Sequence, residues 1–142
     1  MFRKILVPVD FTEKNEAALS SAIEIAGRSD GEESEVTLLH VIETIEHIEF
    51  DEMAGFYRGL ETRAAARLFA VEERLKAVGV RAQHEILYGK RAETIVRFAE
   101  DHAMDLMILS SHKVDRDHPA LGWGTISYRI AIVARCPVLL VK

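Results

Sequence analysis

Three short stretches of this chain hold residue types that handle a charged ligand. Pro8-Val9-Asp10 ends an apolar run on a carboxylate. Ser110-Ser111-His112-Lys113 sets two hydroxyls before a switchable and a fixed cation, with Arg116 close behind. Gly122-Trp123-Gly124-Thr125-Ile126 places two glycines and a hydroxyl where a helical pattern begins. Glycine lets backbone approach a ligand closely, and the first turn of a helix offers free N–H groups and the positive end of its dipole. Together these groups suit the capture of a phosphorylated ligand. They do not compose a serine–histidine–acid triad or a P-loop.

The elements that must bring them together follow from hydrophobic periodicity. Strands are predicted at Ile5–Val9, Val36–Val41, Val80–Leu87, Leu106–Leu109 and Pro137–Val141, the third less apolar and so nearer an edge. A first helix runs to about Arg28 from an N-cap at Thr12, with Leu19, Ile23 and Ala26 inward. The second runs from about Asp51 to Val78, its stripe being Met53, Phe56, Leu60, Ala64, Leu68, Val71, Leu75 and Val78, and Gly79 ends it. The third spans Arg91 to His102 with Ile95, Phe98 and Ala99 inward. The fourth spans Gly124 to Ala134 with Ile126, Ile130 and Val133 on one face. Strands that alternate with helices run parallel through right-handed crossovers, so the expected fold is α/β, a doubly wound open sheet of five strands with helices on both faces. In such sheets the ligand lies beyond the carboxyl ends of the strands where the winding reverses. A reversal after the third strand makes strands one and four neighbours there, and the three stretches converge.

The 142 residues fit one domain, 1–142, and the composition, 49% hydrophobic and 29% charged, is that of a globular chain. A net charge of −5 without a concentrated basic face argues against nucleic acid. No apolar run spans a bilayer, and the amino-terminal stretch is too short and too soon acidic for a signal peptide, so no membrane partner and a cytoplasmic location are expected. Cys136 is the single cysteine and reads as a packed residue beside Pro137.

Plainer readings stand beside the chemical ones. Asp10 also suits a helix cap, the two glycines a turn, and Lys113 to Asp117 a solvated loop. His47 among Glu43, Glu46, Glu49 and Asp51 reads as a solvated acidic loop rather than a metal site, so no metal ligand is expected. Trp123 and Tyr128 read as lid packing before partner contacts. A phospho-receiver domain is set aside because strand three ends in Leu87-Tyr88-Gly89. A flavodoxin is set aside because Asp10 stands where a flavin phosphate would sit.

Over nearly its whole length the chain resembles the universal stress protein family, whose fold is a Rossmann-like relative of the adenine nucleotide hydrolases. The matching pieces are Lys4 to Thr12, Leu38-Leu39-His40-Val41, Gly89, Asp105-Leu106-Met107-Ile108 into Ser111-His112, and Cys136 to Val141. The resemblance implies the strand order 3-2-1-4-5 and a homodimer paired through Val138, Leu139, Leu140 and Val141. An exposed apolar edge agrees with that pairing. It also implies an adenine nucleotide, ATP, ADP or AMP, with or without magnesium. Asp10, with Pro8 and Val9, would meet the ribose or adenine side, and the Val41 backbone the adenine. Leu109, Ser110 and Ser111 would line the ribose and phosphate path, and Gly124, Thr125 and Ile126 would hold phosphates.

ATP-binding members carry Gly-x2-Gly-x9-Gly-Ser/Thr after strand four. Here Ser110 and Lys113 replace the first two glycines, and ten residues rather than nine separate Lys113 from Gly124. The expected function is a stress-response regulatory protein whose nucleotide biases the Ser110–Trp123 loop and so a regulatory partner's surface. The alternative is a nucleotide-independent dimeric adaptor. A slow ATPase is a third reading, for which nothing in the sequence positions a water.

Overall fold

Short β-branched and leucine-rich runs separated by helical periods give five strands and four helices in the computed structural model, which describes residues 2–28, 33–111, 117 and 125–142. In chain order these are β1 (Lys4–Pro8), α1 (Asn15–Gly27), β2 (Glu35–Ile42), a 3-10 turn (Phe50–Met53), α2 (Ala54–Ala77), β3 (Arg81–Tyr88), α3 (Arg91–Asp101), β4 (Leu106–Ser110), α4 (Ile126–Val133) and β5 (Val138–Val141). All pairings are parallel, in the order β3-β2-β1-β4-β5, as expected. The winding reverses between β1 and β4.

Alternation along the strands divides the core in two. Ile5 and Val7 of β1, and Val9 just beyond it, face one side with Ala18, Leu19 and Ala22 of α1 and Leu68 and Leu75 of α2. Leu6, Leu39 and Val41 face the other with Ile95 and Phe98 of α3 and Ile130 of α4. Glycine suits the backbone at two turns. Gly79 ends α2 at φ 85. Gly89 stands at φ 147, where a Cβ would lie 2.7 Å from Thr94 Oγ1.

Several local expectations are corrected. Thr12 does not cap α1, which begins at Asn15, because its N–H and hydroxyl both bond to Asp10 Oδ1 (2.9 and 2.7 Å). The buried aromatic of α2 is Tyr57 rather than Phe56, because Tyr57 stands seven residues, about two turns, before the buried Ala64 and so shares its face. The Tyr57 hydroxyl accepts the Ile45 N–H at 2.8 Å, so even its polar end is satisfied. Val78 lies past the end of α2 and is 61% exposed; Val133, in the last turn of α4, is 58% exposed. Among the described residues no helix is long and apolar enough to cross a membrane.

The difference between Leu68 and Val78 is directly testable. Leu68 is fully buried, so Leu68→Ala should lower unfolding free energy by about 2–5 kcal/mol. Val78→Ala should stay within about 0.5 kcal/mol of the parent, both read by urea denaturation.

Candidate functional site

Proline at the end of a central strand opens the site. Along a parallel strand, successive residues address opposite neighbours. Val9 N donates to Leu39 O of β2 at 2.8 Å, so the nitrogen of Pro8 faces β4. Proline has no N–H to give, and the β1–β4 register is confined to Ile5↔Leu106 and Leu6↔Met107. The two strands part beyond that point, and a cleft lies between their carboxyl ends.

Asn15, the first residue of α1, bridges the gap. Its Oδ1 accepts the N–H groups of Asp10 and Phe11, each at 2.9 Å, and its Nδ2 donates to Ser110 Oγ at 3.1 Å. The residue is only 5% exposed, so a lost bond here is not replaced by water. With its N–H groups held this way, the chain turns through Phe11 at φ 64, a left-handed conformation costly for a bulky residue. On the far strand, the Ser110 carbonyl accepts Ser127 Oγ of α4 at 2.6 Å, tying the start of that helix to the site.

The cleft is lined by Pro8, Val9, Asp10, Val41, Leu109, Ser110 and Ile126. Seven of the thirteen residues expected from sequence therefore share one wall system. Ser111 lies behind it, buried, with its N–H donating to Val141 O. Thr125 stands in extended conformation as the residue before α4, and its side chain makes no cap bond. Its Oγ1 is buried and has no hydrogen-bond partner among the described residues. His112, Lys113, Gly122 and Gly124 lie outside the described residues, as does most of the Ser110–Trp123 loop.

Asn15, Arg91, Ile95 and Ser127 also line the cleft and were not anticipated. Asn15 gave only a weak signal, an amide near a helix start; its bond to Ser110 spans 95 positions. Arg91 opens α3, and only the crossover from β3 brings it over β2.

The electrostatics of the cleft are set by few groups. Asp10 Oδ1 is engaged by Thr12, and Oδ2 has no partner among the described residues. His40 Nδ1 donates to the Val9 carbonyl at 2.7 Å, which fixes the tautomer of the neutral ring. Burial pushes the His40 pKa below its ordinary value, and Arg91 adds to this, while the Val9 hydrogen bond and Asp10 act in the opposite sense. Among the described residues no three His, Cys, Asp or Glu side chains gather as a metal site. The arrangement can bind a polar ligand between Asp10, the Val41 backbone and the α4 amino end.

Comparison with known proteins agrees with this architecture. The model of the universal stress protein family matches residues 1–142. The universal stress protein MJ0577 of Methanocaldococcus jannaschii is 29% identical over 160 aligned positions, covering 100% of this chain and 96% of the relative. The solved structure of MJ0577 superimposes with a TM-score of 0.82 at 30% identity, over 100% of this chain and 96% of that one. A universal stress protein of Archaeoglobus fulgidus, solved in complex with dAMP, shares the fold (TM-score 0.69, 17% identity, 99% and 98% coverage). So does a universal stress protein solved in complex with cAMP (0.70, 14%, 99% and 97%).

Removing the bridge should be costly. Asn15→Ala leaves two N–H groups at the strand end without their acceptor and should destabilise the fold by about 1–3 kcal/mol in urea denaturation. Ser21→Ala, on the exposed side of the same helix, should change stability by less than about 0.5 kcal/mol.

Proposed function

The chain belongs to the universal stress protein family, and from that premise we propose that it is a stress-response regulator that binds an adenine nucleotide in the cleft between β1 and β4. The observation that carries this reading is the Thr125 hydroxyl, buried and without a hydrogen-bond partner among the described residues at the amino end of α4. A buried polar atom without a partner calls for one, and the first-turn N–H groups beside it favour an anion. A phosphate would satisfy both. The base would lie against Val41 and Leu109, with the Val41 backbone at its edge and the open oxygen of Asp10 toward the ribose. The dAMP and cAMP complexes of two proteins with this fold support the ligand class.

The cleft as it stands holds only about 50 Å³, less than a base requires. Binding therefore involves displacement of Arg91 and Ile126, both half-buried on its wall. Asp10 is the one carboxylate on the cleft among the described residues, so any magnesium would arrive on the nucleotide's own phosphates.

The chain is also proposed to pair with a second copy through β5. This strand ends the sheet order, and Leu139 is 38% exposed on it. Ile132 and Val133 on the adjoining α4 are 81% and 58% exposed. Apolar surface on an open edge favours a two-fold strand pairing.

Two measurements check these readings. Calorimetric titration of nucleotide-stripped protein with ATP, ADP and AMP, with and without magnesium, should show one saturable site per chain. Thr125→Val, which removes only the hydroxyl, should weaken binding roughly tenfold; absence of binding by all three nucleotides would sink the proposal and favour the ligand-independent adaptor. In sedimentation velocity the parent should run as a dimer and Leu139→Lys as a monomer; a monomeric parent would overturn the pairing.

A further inference from the structure

A second cavity, of about 600 Å³, opens beside the cleft on the α2 side of β2. Arg63, Arg67, Arg91, His40, Phe11 and Glu43 are among the residues that line it. The guanidinium groups of Arg63, Arg67 and Arg91 make no ion pair among the described residues. Elsewhere on the surface Arg28, Arg74, Arg81 and Arg135 each pair with a glutamate, while Arg58, Arg97 and Arg129 make no ion pair among the described residues. What sets Arg63, Arg67 and Arg91 apart is that all three line one cavity.

Their placement is built by the fold. Arg63 and Arg67 stand four residues apart on α2 and so share a face, where like charges repel. Arg67 lies over the Phe11 ring, its guanidinium carbon 5.2 Å from the centroid, which restrains that side chain before any ligand arrives. Phe11 in turn packs against the His40 ring, with centroids 4.5 Å apart. Phe11 is the residue that the Asn15 bridge holds in a left-handed conformation. His40 spends Nδ1 on the Val9 carbonyl and keeps Nε2 for another partner. Arg91 comes from α3, on the opposite face of the sheet, and lines both cavities.

We propose that this cavity is a binding site for a compact, multiply charged oxyanion, a phosphate ester or pyrophosphate group, held by Arg63, Arg67 and Arg91. Guanidinium groups present paired N–H donors that match phosphate oxygens. Three such charges against the single Glu43 carboxylate leave two in excess, with His40 neutral. That excess suits a dianion better than a monocarboxylate. Bound anion would also relieve the repulsion between Arg63 and Arg67. The site does not depend on the nucleotide reading, because it shares only Val41 and Arg91 with the cleft.

The test is calorimetric titration of the full chain with inorganic pyrophosphate. One saturable site is expected. Arg63→Gln/Arg67→Gln should weaken it roughly a hundredfold, about tenfold per guanidinium. Both side chains are exposed, and glutamine is a good helix former, so circular dichroism should show an intact fold. Thr125→Val should leave pyrophosphate affinity unchanged, and the double variant should leave AMP affinity unchanged. Absence of saturable pyrophosphate binding, its retention in the double variant, or its loss in Thr125→Val instead would each overturn the proposal. Failure of AMP to bind, with pyrophosphate binding intact, would count against the nucleotide reading alone.

Discussion

The parting of β1 from β4 at Pro8, spanned by the Asn15 amide, is the constraint on which the rest of the site depends. A central strand ordinarily satisfies its backbone on both sides. Pro8 cannot do so toward β4, and the shared register stops at Leu6↔Met107. The freed strand ends are then held by side chains: Asn15 grips the turn after β1 and Ser110, while Ser127 grips the Ser110 carbonyl. Opening the ladder creates the cleft, and these few buried bonds stop the opening from spreading into the sheet.

The same turn separates two environments. Asp10 lines the cleft on the α3 and α4 side. One residue later, Phe11 lines the cavity beside α2. Its φ of 64 is strained for an aromatic residue, and the strain is balanced by the Asn15 acceptor and by packing against His40 and Arg67. A carboxylate therefore faces one space while arginines surround the other. Arg91 and Val41 belong to both walls, so movement of Arg91 that widens one space necessarily alters the other.

Energetically the scaffold is ordinary for its class, and the site departs from it locally. The two core layers are mostly aliphatic, with Ile5, Leu6, Val7, Leu38, Leu68 and Ile108 fully buried. At the carboxyl ends of the strands the Thr125 hydroxyl and one Asp10 carboxylate oxygen have no partner among the described residues, and guanidiniums of α2 and α3 line the cavity beside them.

The amino-acid sequence by itself determined the five strands, their parallel alternation with helices and seven of the residues that line the cleft. Those features rest on local periodicity, on turn-forming residues, and on resemblance to the family over Lys4–Thr12 and Cys136–Val141, all of which are written within a few positions of chain. Element ends were less legible: Thr12 is a good cap by type, yet Asp10 competes for the same hydroxyl. The phase at the start of α2 was misread because Phe56 fits a four-residue step to Leu60, whereas the buried face runs through Tyr57, Ala64, Leu68 and Leu75. Only the tertiary structure decided that Asn15 reaches Ser110 and that Arg91 lines one cavity with Arg63 and Arg67. Such contacts join residues tens of positions apart, and no local preference encodes them. They arise when the crossovers bring separate strand and helix ends to one edge of the sheet.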